Sequence, residues 1–123
     1  MKASKLTHTS LEKLVQEFAS LALAQDRAEI IGDIAKVNRL FDKLEEIESE
    51  LKSRSGDQRR QLMSLYEHPN AQVRLKAASA TLAIAPQAAR EVLERIQRLK
   101  EFPQAGEAGM RLWNIDRGVY KPT

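Results

Sequence analysis

The stretch Leu62-Met63-Ser64-Leu65-Tyr66-Glu67-His68-Pro69-Asn70-Ala71-Gln72-Val73-Arg74-Leu75-Lys76-Ala77-Ala78-Ser79-Ala80-Thr81-Leu82 decides how the chain reads. It sets a helical pattern on each side of a Pro-Asn corner. Proline cannot donate a backbone hydrogen bond and ends the helix before it. Asn70 is an N-cap residue, able to take an orphan N–H of the turn that follows. At 100° per residue, Val73, Ala77, Ala80 and Ile84 form one stripe, and Leu75, Ala78 and Leu82 form another. Gln72, Lys76, Ser79 and Ala83 remain as a narrow outer strip. A helix apolar over most of its girth is buried on several sides, and its alanines let neighbours approach closely.

Working outward, the same periodicity fills most of the chain. The Thr9 to Glu12 spacing is that of a capping box, so a first helix is expected to start near Ser10. Leu11, Leu14, Val15, Phe18 and Leu21/Ala22 share one face of it, and the pattern loosens from Gln25 to Asp33. Gly32 marks a break, and Asp33 is placed to cap a second helix. There Ile34, Val37, Phe41, Leu44, Ile47 and Leu51 recur every three or four residues. Gly56 reads as a left-handed C-cap and Asp57 as the next N-cap, opening a third helix to about Glu67. The fourth runs from Ala71 to about Ile84. Pro86 opens a fifth, with Ala89, Val92, Leu93, Ile96 and Leu99 inward and Glu91/Arg95 and Glu94/Arg98 as exposed i,i+4 pairs. Pro103 stops it. A sixth, from about Gln104 to Asp116, offers Ala108, Leu112, Trp113 and Ile115.

No strand pattern appears. The expected fold is all-α: about six helices in three antiparallel hairpins, as one domain over 1–123, with loose ends at 1–8 and 117–123. A weak period of 34 supports stacking, since Leu62, Leu65, Pro69 and Ala71 recur as Ile96, Leu99, Pro103 and Ala105.

The corner segment resembles a HEAT-type repeat: a small polar cap at Asn70, then Val73-Arg74, then Ala77-Ala78, then Leu82. Together with Asn38-Arg39-Leu40-Phe41-Asp42 and the turn at Gly56, residues 10–100 also resemble a family of small bacterial proteins known as a domain of unknown function. The resemblance implies an α-α superhelix of HEAT/armadillo type, brings no established activity, and makes Asn38, Pro69, Asn70, Val73, Arg74, Ala77 and Ala78 its structural motif. In such repeats the arginine at the Arg74 position bonds turn carbonyls or a neighbouring carboxylate. Some small HEAT-like bacterial proteins are immunity partners of toxins.

Composition narrows the function. The 123 residues carry 30% charged and 5% aromatic side chains and a net charge of +3. With no cysteine there is no disulfide, no thiol nucleophile and no Cys-based zinc or iron–sulfur site. The basic start lacks an apolar core like that of a signal peptide. The best apolar run, Phe18 to Ala24, is far short of the ~18 residues that span a bilayer. A cytoplasmic location away from membranes is therefore expected. Residues 1–53 hold 8 basic and 10 acidic side chains, whereas residues 54–100 hold 9 and 4.

No chemical constellation emerges. His8 and His68 stand outside any metal-ligand spacing, and Glu45, Glu46, Glu48 and Glu50 spread around their helix instead of converging. There is no phosphate loop or nucleophile elbow. Asn38, beside Ile34 and Phe41, reads as a partly buried amide satisfied within the fold. Trp113 and Asp116 invite comparison with HEAT-like DNA glycosylases, but Trp113 sits among Leu112 and Ile115 and reads as core. The expected function is therefore non-enzymatic and cofactor-free: a protein–protein interaction module, of the immunity or regulatory kind. The expected docking surface is the strip Gln72, Lys76 and Ser79, with Lys36 and Arg39. The alternatives are nucleic-acid binding through the basic 54–100 stretch, or a DNA-repair-type activity.

Overall fold

The computed structural model describes residues 6–123. Five α-helices and one 3-10 helix follow one another, with no strand among the described residues. The chain divides into two compact units, Met1–Gln61 and Leu62–Thr123, within what the sequence reads as one domain.

The first unit is a helical hairpin, α1 (Leu11–Ile30) and α2 (Ile34–Ser53). The N-cap of α1 is Ser10, not Thr9: its hydroxyl accepts from Lys13 N at 3.1 Å, so no capping box forms with Glu12. The helix runs through the stretch where the apolar pattern loosens. Gln25 stands in the inward stripe after Leu14, Phe18 and Ala22, buried, with its amide nitrogen donating to Val37 O. A hydrogen-bonded amide can replace an apolar residue there, because its polar atoms are satisfied. Gly32 takes a φ of +76°, which a residue with a Cβ rarely adopts, and Asp33 caps α2 by accepting from Lys36 N.

On α2 the buried set is Leu40, Leu44, Ile47 and Leu51. Phe41 and Ile34, expected inward, are 45% and 65% exposed. The inward stripe is centred on Leu40, and Ile34 and Phe41 lie on its shoulder. Asn38 is likewise exposed, so the expected partly buried amide is corrected. Lys36 and Arg39 are exposed as well.

The expected third α-helix is a 3-10 helix, Gln58–Leu65. Arg59 and Leu62 are buried and Leu65 half-buried, a spacing of three that fits three residues per turn. Before it, Gly56 (φ +79°) and Asp57 (φ +54°) both take left-handed backbone. The Asp57 carboxylate accepts from Arg59 N and from both sides of its guanidinium, which holds the acid below the usual carboxylate range. Leu6, within the end expected to be loose, is tied down together with Thr9 just beyond it: Arg54 donates to Leu6 O at 2.8 Å and Thr9 O at 2.7 Å. Residues 1–5 of that expected end lie outside the described residues.

In the second unit, α3 (Ala71–Thr81) packs against α4 (Pro86–Arg98) and α5 (Gln104–Asp116), and α4 packs against α5. Asn70 caps α3, accepting from Gln72 N at 2.8 Å and Val73 N at 3.1 Å. Eight of the eleven residues of α3 are buried, so it is covered on more than one side, as its sequence demands. Its core partners are Ala89, Leu93 and Ile96 of α4 and Ala105, Ala108 and Leu112 of α5. Each fully buried Leu or Ile there is worth about 1.5–3 kcal/mol. Leu99, expected inward, is 55% exposed beyond the end of α4, so the 34-residue echo of Leu65 carries no packing role there. Beyond α5 the tail is irregular but docked: Tyr120 packs on the core cluster, with the Arg111 guanidinium 5.1 Å from its ring. No helix of the described residues is long and apolar enough to cross a membrane.

Candidate functional site

The corner motif is a clamp. Arg74 leaves the first turn of α3 and donates Nε to His68 O at 2.7 Å and Nη2 to Pro69 O at 3.3 Å. Its two Nη atoms meet the Glu101 carboxylate at 2.7 and 2.8 Å. A planar fork matched to a carboxylate gives two parallel charge-assisted bonds. The guanidinium holds Glu101 below the usual carboxylate range, and Glu101 raises Arg74 in turn. One side chain thus fastens the turn before α3 to the turn before α5. Its Nε and both Nη atoms are thus engaged within the fold, as the resemblance implies.

Two residues of the strip expected to dock a partner, Gln72 and Lys76, meet α5 instead. Gln72 is 2% exposed and accepts from the Gln104 amide at 3.0 Å. Lys76 reaches Glu107 at 3.8 Å. Ser79 is half-buried, its hydroxyl enclosed. The sequence shows that these residues are polar; it does not show that α5 meets them with a matching amide and carboxylate. Lys36 and Arg39 belong to the other unit.

Two of the exposed apolar residues, Met110 and Trp113, lie on the far side of α5. Its buried residues Gln104, Ala105, Ala108 and Leu112 define one face. On the helical wheel the opposite face carries Gly106, Met110, Trp113 and Arg117. Met110 is 57% and Trp113 55% exposed, and the Arg117 guanidinium lies 4.6 Å from the indole centroid. Trp113 is therefore a surface residue, not the core residue its neighbours suggested. An aromatic, a methionine and an arginine are the residue types that protein interfaces gather.

A second feature is a groove of about 370 Å³ between the end of the 3-10 helix and α4. Half-buried Tyr66, Ala88 and Val92 give it apolar walls; Glu67, Glu91, Arg95 and Arg98 are exposed at its rim. Tyr66 points its hydroxyl at Thr81, whose own hydrogen has Ala77 O at 2.9 Å and Ala78 O at 3.2 Å to serve. Tyr66 is therefore the donor. Burial pushes its phenol above its ordinary value and outweighs the Thr81 contact. Such a tyrosine supplies a ring face, not a base.

The charges of 54–100 are largely paired. Arg54, Arg59, Arg74, Lys76, Arg90 and Arg95 each meet a carboxylate. The expected Glu91/Arg95 and Glu94/Arg98 pairs are replaced: Arg90 binds Glu94 and Asp116, and Arg95 meets Glu67. Arg90 holds Asp116 below its ordinary value. No group of three or more His, Asp or Glu able to hold a metal occurs among the described residues.

Among the described residues the protein is all-helical. Residues 12–116 match the sequence model of a domain of unknown function, DUF2019. The chain belongs to that family. A solved structure, the protein RPA1889 from Rhodopseudomonas palustris, is 51% identical; the match covers 96% of this chain and 98% of that one, with a TM-score of 0.94. No curated protein matches the chain.

Proposed function

We propose that this protein works by binding another protein, not by catalysis, and that the outer face of α5 is its contact surface. The observation that carries the reading is Trp113, the chain's one tryptophan, more than half exposed on the face turned away from the core. Met110 lies beside it and Arg117 stacks on it. Water gains nothing from a large indole held on a rigid helix, whereas a partner that covers it removes its apolar area from solvent. The reading includes a HEAT-like α-α superhelix, supported by the Pro-Asn corner and the Arg74 clamp. It replaces the Gln72, Lys76 and Ser79 strip, of which Gln72 and Lys76 are already engaged by α5 and Ser79 is half-buried.

A photo-crosslinking amino acid at position 110 tests this. It should trap one protein from the producing cell, and excess unlabelled protein should compete that adduct away. The purified partner should then bind the Trp113→Ala variant at least 30-fold more weakly, about 2 kcal/mol. Equal binding by wild type and variant would refute the reading. An immunity or a regulatory role then follows from which partner is trapped.

A further inference from the structure

The groove beside Tyr66 has a charge pattern that specifies its occupant. Arg74 is committed to Glu101 and two turn carbonyls. Arg95 and Glu67 pair at 3.7 Å with both side chains more than half exposed, a contact worth little in water. Two lining charges remain without an ion pair among the described residues: Glu91 and Arg98. They stand two turns apart on α4, roughly 10 Å along the helix axis. Between them the groove offers apolar surface from Val92 and the ring of Tyr66, whose hydroxyl is turned inward to Thr81.

We propose that this groove binds a short extended segment of a partner protein, in which an apolar residue lies between an acidic and a basic one. Arg98 receives the carboxylate, Glu91 receives the cation, and Val92 with Tyr66 receives the apolar side chain. Alternate side chains of an extended chain share a face, so the acidic and basic residues stand two positions to either side of the apolar one, about 13 Å apart at ~3.3 Å per residue, within reach of the long side chains of Glu91 and Arg98. The volume of about 370 Å³ falls at the small end of ligand-binding clefts, enough for a few side chains. One free guanidinium opposite one free carboxylate suits a zwitterionic segment. It does not suit a phosphate, which calls for clustered cations. The site is separate from the outer face of α5, and either proposal can fail without the other.

The test is an NMR titration of the whole protein with three capped hexapeptides, each with a central leucine. One carries an aspartate and a lysine two positions to either side of it, one carries two lysines, and one carries two aspartates. The mixed peptide should shift Ala88, Val92 and Arg98 saturably and bind at least tenfold more tightly than the others. Arg98→Glu should transfer the preference to the two-lysine peptide, and Glu91→Lys to the two-aspartate peptide. Both variants change exposed residues, so the fold is retained. Trp113→Ala should leave all three titrations unchanged. Equal affinity for the three peptides would overturn the proposal. So would an unsaturated response at 10 mM, or inorganic phosphate shifting Arg98 as strongly as the mixed peptide.

Discussion

Helices α3 and α5 both begin at a proline corner, both bury alanines, and they lie against each other, yet the sequence misassigns one face of each. On α3 the polar strip of Gln72, Lys76 and Ser79 is covered; on α5 the largest apolar residue, Trp113, is uncovered. Side-chain polarity alone does not decide burial. Gln72 can be buried because Gln104 donates to it, and a satisfied buried amide costs little. Trp113 stays outside because α5 meets its neighbours with Ala105, Ala108 and Leu112, a close seam that faces away from the indole. The small residues that draw the helices together also leave the large one on the surface.

The clamp at the base of this pair carries the largest expected effect. Arg74→Ala removes four hydrogen bonds and takes the partner from a Glu101 carboxylate that water partly reaches, and should destabilise the protein by about 2–4 kcal/mol in urea unfolding. A loss below 1 kcal/mol would show that the corner stands without it. The pair also sets an acid limb. Glu101 has a folded pKa below its ordinary value near 4.5. Its contribution is therefore complete above that value and disappears as pH falls through the depressed one. Unfolding free energies between pH 6 and pH 3 should fall less steeply for Glu101→Gln than for wild type.

The amide pair comes next. Gln72→Ala takes the Gln72 acceptor from the buried Gln104 amide, at a cost of about 1–3 kcal/mol, whereas replacing both glutamines by leucine should recover much of that. Chemical denaturation of the single and double variants gives the coupling directly. Additive losses would mean that the two amides do not depend on each other.

Most helix boundaries were legible because caps are local chemistry. Asp33, Asn70 and Pro86 stand where the helices begin, and Gly32 and Gly56 where the backbone turns left-handed. The role of Arg74 was legible too, through a resemblance in its surroundings. What remained hidden depends on partners distant in sequence. The choice between Leu40 and Phe41 for the inward stripe is a rotation of 100° that either hydrophobic pattern allows. The 3-10 helix left one signal, the spacing of three through Arg59, Leu62 and Leu65, but Gln58–Leu65 equally permits an α-helix in isolation. The groove was invisible, since Tyr66 and α4 meet only in the folded unit.

A smaller effect of opposite sign is expected on the outer face of α5. Gly106 has no atom within 4 Å of where a Cβ would stand and a backbone that any residue accepts. Gly106→Ala should raise stability by about 0.5–1 kcal/mol through helix propensity alone. A loss in thermal unfolding would mean that this face is occupied within the protein itself.

The smallest effect on stability is the most informative, because it separates the two helices by function. A core tryptophan cut to alanine costs about 3–5 kcal/mol. Trp113, more than half exposed, has its contact with Arg117 to lose, about 0.5–1 kcal/mol at an exposed site, and the better helix propensity of alanine offsets part of what its covered ring area contributes. Trp113→Ala should therefore unfold within about 1 kcal/mol of wild type while losing its partner. A residue that matters to binding and hardly to folding is one the fold holds outward for another molecule, which is the reverse of what Gln72 does on α3. Should Trp113→Ala instead lose several kcal/mol, the indole belongs to the interior, and the contrast between α3 and α5 disappears.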